Sequence, residues 1–123
     1  MRYLTDRKRA QGLGSGRQGT HHHWQMMVSS VALIVLAPIF VITFGLGLGG
    51  TYEEVLAYFG RPFPAIVTGL TVIAAIKHFT YEALEAVEDY VHGTAQKLTL
   101  IGLTGLSYAL IAIGLFALAR IAL

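Results

Sequence analysis

The chain has 123 residues, of which 54% are hydrophobic and 13% are charged, and its formal net charge is +2. Soluble domains carry about 25% charged residues, so this composition argues against a soluble enzyme domain, and the length fits one domain. The chain has no cysteine, which excludes disulfide bonds, thiolate metal sites and cysteine catalysis.

A basic N-terminal arm, residues 1–23, precedes the first apolar run and contains one acid, Asp6. Its basic residues are Arg2, Arg7, Lys8, Arg9 and Arg17. Short segments rich in Lys and Arg stay in the cytoplasm. We therefore expect the arm and the 91–97 loop to be cytoplasmic, with the 50–61 loop and the C-terminus outside. Arg120 opposes this orientation, but it is a single charge.

Three apolar runs are long enough to cross a membrane, since a spanning helix needs about 20 mainly apolar residues. They cover about 24–48, 62–91 and 97–121. The second run is apolar only in its first half, and it continues at helical spacing into the polar interface. We predict an all-α membrane protein whose domain, residues 24–123, has three transmembrane helices in an up-down-up arrangement. Pro38 predicts a local kink in the first helix.

Glycines mark the expected helix ends and one packing face. The segment Gly45–Gly50 closes the first helix, a short amphipathic helix is expected over about 51–59, and Gly93 is expected to end the second spanning helix. Small residues that permit close helix packing recur in the third spanning helix at Gly102, Gly105, Ala109 and Ala112. The third helix therefore has packing partners.

Ionisable residues inside a membrane helix are functional candidates, and the second spanning helix holds those that lie well inside a span. His78 lies about 21 Å beyond Pro64 at about 1.5 Å per residue. Glu82, Glu85 and Asp89 follow within about 40° of His78 on the helix surface. A neutral imidazole in hydrocarbon is suited to axial ligation of haem iron. The structural alternative is a histidine hydrogen-bonded to a neighbouring helix, with Glu82 as its local partner.

The remaining polar candidates lie near the start of the first spanning helix. Three adjacent histidines, residues 21–23, point in different directions on a helix and make a poor closed metal site, so interfacial contacts are expected. Trp24 is typical of the aromatic belt of a membrane protein. Ser29 and Ser30 are too shallow for nucleophilic catalysis, although one of them could hydrogen-bond a polar ligand. No second histidine lies inside a span, so a bis-histidine haem would need a ligand from another chain.

The segment from His78 to Tyr90, HFTYEALEAVEDY, resembles the second helix of a membrane anchor family of succinate dehydrogenase (respiratory complex II). The family is that of the small hydrophobic anchor subunit, the cytochrome b small subunit type. In that family a haem-ligating histidine is followed, after ten intervening residues, by an Asp-Tyr pair, as His78 is followed by Asp89 and Tyr90. The three-helix layout, the cytoplasmic N-terminus and the chain length also match. The resemblance covers essentially all three helices.

The resemblance implies an anchor subunit of a succinate:ubiquinone oxidoreductase in a bacterial cell inner membrane rather than a mitochondrial one. Its partners would be a larger cytochrome b anchor, an iron–sulfur subunit and a flavoprotein subunit. His78 would be one axial ligand of a haem b shared with the larger anchor. Tyr90 would hydrogen-bond a ubiquinone carbonyl, with Asp89 beside it. The environment of the haem propionates or the quinone would include Arg17, His21 and Ser29.

One departure from the family pattern lies four residues after His78, and another lies near Met27, where members often have an arginine. Many members have a glycine four residues after the ligating histidine, where this chain has Glu82, and the role of Glu82 stays open. Two other functions stay open as well. One is a small proton-conducting or transport protein that uses the stripe of His78, Glu82, Glu85 and Asp89. The other is an assembly factor in which His78 only packs.

Overall fold

The computed structural model describes residues 4–12 and 18–123, and most of these residues are helical. In chain order the helices are α1 (Asp6–Gln11), α2 (Gln18–Leu46), α3 (Tyr52–Phe59), α4 (Pro62–Tyr90) and α5 (Gly93–Ala122). No strand occurs within the described residues. Three helices, α2, α4 and α5, are long and apolar enough to cross a membrane. This confirms the prediction of an all-α membrane protein with three transmembrane helices.

Two spanning helices begin earlier than their apolar runs. α2 starts at Gln18 instead of near residue 24, so part of the basic arm forms its first turns. α5 starts at Gly93 instead of near residue 97. The expectation that Gly93 ends the second spanning helix was wrong, because α4 ends at Tyr90 and Val91 is extended. Gly93 has a φ of 71°, a left-handed conformation that glycine adopts readily, and it opens α5.

α4 is the central helix of the bundle. It packs against α2 and against α5, whereas α2 and α5 do not pack against each other in the described part of the chain. The short helix α3 lies against α4 and α5. We name the end where α2 begins and α4 ends the arm end, and the end that carries α3 the far end. Most apolar side chains on the outer faces are exposed, as expected for surfaces that meet lipid or another subunit.

Glycines bring α4 and α5 together towards the far end. A Cβ atom added at Gly69 would lie 3.3 Å from Leu118 Cδ2, and one added at Gly114 would lie 3.2 Å from Val72 Cγ1. Both helices therefore approach each other where one of them has no side chain. The face predicted from Gly102 and its neighbours is a different one, because a Cβ at Gly102 would meet nothing within 4 Å.

The short helix α3 caps the far end of α2. Thr51 and Glu54 form a capping box, in which the Thr51 hydroxyl accepts from the Glu54 amide and the Glu54 carboxylate accepts from the Thr51 amide. The Tyr58 hydroxyl donates to the Thr43 carbonyl over 2.6 Å. That carbonyl lies in the last turn of α2, where helix carbonyls lack intrahelical partners. A side chain at Gly47 would collide with the Tyr58 ring, so glycine is needed there.

Candidate functional site

Two polar contacts join α2 to α4 in the half of the bundle nearer the arm end. Ser29 Oγ lies 3.0 Å from His78 Nδ1, and His22 Nε2 lies 3.2 Å from Glu85 Oε1. On each helix the two residues are about two turns apart and so share one face. Because the helices are antiparallel neighbours, the two contacts belong to one row. We call this row, His22 and Ser29 on α2 with His78 and Glu85 on α4, the polar seam.

The two ring nitrogens of His78 have different surroundings. Nδ1 faces Ser29, as the 3.0 Å distance shows. Nε2 lies 3.8 Å from Glu82 Oε1, a distance too long for a hydrogen bond. The His78 side chain is 18% exposed and the Glu82 side chain 56% exposed. One nitrogen is therefore held by the neighbouring helix, while the other lies on the side of a carboxylate that is more than half exposed.

The histidine triplet divides between two surfaces. His22 turns towards α4, where its ring meets Tyr81 edge-on with centroids 5.2 Å apart and its Nε2 contacts Glu85. His21 is exposed and contacts Gln25 Nε2 over 2.9 Å on its own helix, so the structure does not bring it to His78. A groove of about 360 Å³ opens beside His22. It is lined by Gly19, His22, Leu84, Glu85, Glu88 and Leu100.

The Asp-Tyr pair lies at the last residues of α4, apart from the polar seam. Tyr90 is 84% exposed and lies about 18 Å beyond His78 along the helix, at about 1.5 Å per residue. Asp89 is exposed as well. Gln96 Nε2 donates to the Glu88 carbonyl over 3.2 Å and braces the turn into α5. The pair is therefore available to a ligand or to another subunit.

Lys77, the cation next to His78, is held by aromatic rings. Its Nζ lies 5.0 Å from the ring centroid of Tyr108 on α5 and 6.0 Å from that of Tyr81 on α4. Ring faces attract cations, more strongly where water is scarce. Lys77 therefore contributes to the α4–α5 contact.

The predicted site residues fall into three groups. Ser29 and His78 are in contact, Asp89 and Tyr90 are together at the helix end, and His21 stands apart. Arg17 lies outside the described residues. Sequence reasoning missed the contact of His22 with Glu85, although the same seven-residue spacing on both helices was a signal for it. Within residues 4–12 and 18–123, no three His, Asp or Glu side chains are grouped closely enough to hold a metal ion.

Known proteins resemble this chain over nearly its whole length. Residues 1–119 match the family described as succinate dehydrogenase/fumarate reductase transmembrane subunit. The chain is 47% identical over 123 residues to the succinate dehydrogenase hydrophobic membrane anchor subunit of Paracoccus denitrificans, a match that covers 100% of this chain and 95% of that protein. No solved structure matches the chain significantly.

Proposed function

Because the chain belongs to the family of succinate dehydrogenase and fumarate reductase transmembrane subunits, we propose that it is the hydrophobic membrane anchor of a succinate dehydrogenase. It holds the flavoprotein and iron–sulfur subunits at a bacterial inner membrane and packs against a larger cytochrome b anchor. The full-length similarity to the Paracoccus anchor subunit is the observation that carries this proposal. The basic arm favours a cytoplasmic N-terminus.

His78 serves in this proposal as one axial ligand of a haem b, and the larger anchor supplies the other. The residues present suit such a group, because His78 Nε2 forms no hydrogen bond within the described residues while Nδ1 is engaged by Ser29. An imidazole nitrogen is a common axial ligand of haem iron. Glu82 is more than half exposed, so its carboxylate can turn away from Nε2. The haem, when bound, supplies one-electron redox chemistry.

Tyr90 and Asp89 form one wall of a ubiquinone site at the arm end. The exposed phenol of Tyr90 can donate a hydrogen bond to a quinone carbonyl while staying neutral. Asp89 beside it either holds nearby basic groups or passes protons. The remaining walls come from the partner subunits, because this chain alone leaves both side chains open. Succinate oxidation belongs to the partner subunits, and this chain contributes to the step at the quinone.

The haem assignment is tested with His78→Ala in the purified complex. Reduced-minus-oxidised difference spectra should lose the b-type haem signal, since an alanine offers no ligand atom. His23→Ala is the matched control, because His23 is an exposed neighbour outside the polar seam, and it should retain the signal. An unchanged haem signal in His78→Ala would contradict the assignment.

The quinone assignment is tested with Tyr90→Phe. Loss of one hydrogen bond, about 0.5–1.5 kcal/mol, should lower the rate of quinone reduction up to about tenfold, while dye-linked succinate oxidation persists. Tyr52→Phe, at a tyrosine that is 77% exposed at the far end, is the control. Equal rates of quinone reduction in Tyr90→Phe and Tyr52→Phe would contradict the assignment of Tyr90 to the quinone site.

The anchor function itself is tested by purification of the tagged chain from membranes. We expect it to carry a flavoprotein and an iron–sulfur protein with it. Recovery of the chain as a stable homo-oligomer without either protein would contradict the proposal. It would favour the transport alternative.

A further inference from the structure

We propose that Ser29 is a positioning residue for His78: its hydroxyl accepts a hydrogen bond from His78 Nδ1–H and thereby keeps Nε2 free to bind iron. This inference rests on the proposed function of His78 as a haem ligand. The resemblance implies only that Ser29 lies near the haem propionates or the quinone. The present proposal instead gives its hydroxyl a specific partner, the imidazole ring of His78.

The hydrogen bonds of Ser29 support the role of acceptor. Its Oγ donates to the Met26 carbonyl over 2.9 Å and lies 3.0 Å from His78 Nδ1. A serine hydroxyl has one proton and two acceptor lone pairs. Once that proton is directed at Met26, the lone pairs of Oγ are available to an N–H group on His78.

The protonation of the ring points the same way. A neutral imidazole carries a proton on one nitrogen, and a nitrogen that binds a metal must present its lone pair. If Nε2 binds iron, the proton is on Nδ1 and needs an acceptor, because an N–H group buried without a partner is unfavourable. Ser29 Oγ is at hydrogen-bond distance from Nδ1, whereas Glu82 lies on the Nε2 side.

The position of Ser29 on a different helix adds an orienting role. Its hydroxyl belongs to α2 and the imidazole to α4, so the ring plane of His78 depends on the register of the two helices. The contact of His22 with Glu85 keeps the same register about two turns away. Partners of this kind orient a ligating histidine and raise its basicity.

Ser30 provides a matched control within the same helical turn. Its Oγ donates to the same Met26 carbonyl over 2.9 Å, the length of the bond from Ser29. The structure gives Ser30 no contact with His78. Ser29→Ala and Ser30→Ala therefore each remove one hydroxyl and one bond to Met26, and only the first removes the contact with the imidazole.

The experiment compares these variants in the purified complex by redox potentiometry and by the electron paramagnetic resonance spectrum of the ferric haem. Ser29→Ala should retain haem but bind the ferric form about tenfold more weakly relative to the ferrous form. For one electron, that ratio raises the midpoint potential by about 59 mV. The spectrum should shift as well, since the ring is free to rotate. Ser30→Ala should match the wild type.

A second pair of variants separates the hydroxyl from the shape of the side chain. Ser29→Thr keeps a hydroxyl and should stay close to the wild type, whereas Ser29→Val has nearly the same shape as threonine without it and should behave like Ser29→Ala. Equal potentials and spectra for the threonine and valine variants would overturn the proposal. So would a Ser29→Ala complex that is indistinguishable from Ser30→Ala.

The parent assignment is checked in the same series. Loss of haem from His78→Ala together with an inert Ser29→Ala would reject the role of Ser29 alone. Retention of haem by His78→Ala would reject the ligand assignment and the positioning role with it. The two failures are therefore distinguishable.

Discussion

The two halves of α4 contact their neighbours in different ways. Towards the far end, α4 meets α5 through close contacts at Gly69 and Gly114. In the half nearer the arm end, it meets α2 through the hydrogen-bonding side chains of the polar seam. Lipid is as apolar as a leucine side chain, so helices in a membrane gain stability mainly from close packing. Polar groups in the same environment are costly and are typical of functional positions.

The contacts that stabilise the bundle and the contacts of the proposed haem site therefore lie in different halves of α4. We expect substitutions in the glycine contacts to weaken the bundle, because no lipid chain can replace the close approach of two helices. We expect substitutions in the polar seam to change stability less and to act on the proposed haem site. Two further measurements test this comparison, and a third tests the contact of α3 with α2 at the far end.

The largest loss of stability is expected for Gly69→Leu. A Cβ added there would lie 3.3 Å from Leu118 Cδ2. The larger leucine side chain would force α5 away and lower the free energy of unfolding by about 1–3 kcal/mol. The measurement is thermal unfolding of the purified complex. Leu118→Ala in the same chain should restore part of the loss, because it makes room at the same contact. Additive losses in the double variant would show that the two residues do not share a contact.

A smaller loss is expected for Tyr58→Phe at the far end. The change removes the hydroxyl that donates to the Thr43 carbonyl and should cost about 0.5–1.5 kcal/mol in the same thermal unfolding measurement. Tyr52→Phe, where the side chain is mostly exposed, should cost less. A loss for Tyr52→Phe as large as that for Tyr58→Phe would contradict the capping role of α3.

The smallest effect is expected for the pair of His22 and Glu85. Their side chains are 33% and 46% exposed, and contacts of that kind contribute at most about 1 kcal/mol. A double-mutant cycle with His22→Ala and Glu85→Ala should give a coupling energy in that range. A coupling energy larger than the effect of Gly69→Leu would reverse the comparison between the two halves of α4.

Most of the fold could be predicted because each spanning helix is encoded by its own apolar residues. The first residues of α2 and α5, Gln18 and Gly93, could not be predicted. Hydropathy marks where a helix enters the membrane and not where its backbone hydrogen bonds begin. The polar first turns of α2 continue the helix beyond the apolar run. Gly93 was assigned to the wrong helix, because a glycine with a positive φ can stand at the beginning of a helix as well as at its end.

The candidate site divides in the same way. His78 and the acids that follow it could be placed on one face from their spacing, because that spacing depends only on the geometry of a single helix. The partners of His78 and Glu85 could not be placed, because they depend on how α2 is rotated and shifted against α4. Ser29 was recognised as a residue able to bind a polar group, but not as a neighbour of the imidazole.

Apolar runs, a basic arm and the His-Asp-Tyr spacing are properties of the linear chain, and they were sufficient for three spanning helices and for the family. Burial in hydrocarbon is decided by the composition of one helix at a time, so no tertiary contact was needed. Contacts between helices depend on rotation, register and the space between side chains. Only the folded bundle could therefore place Ser29 against His78, His22 against Glu85, and Gly69 against Leu118.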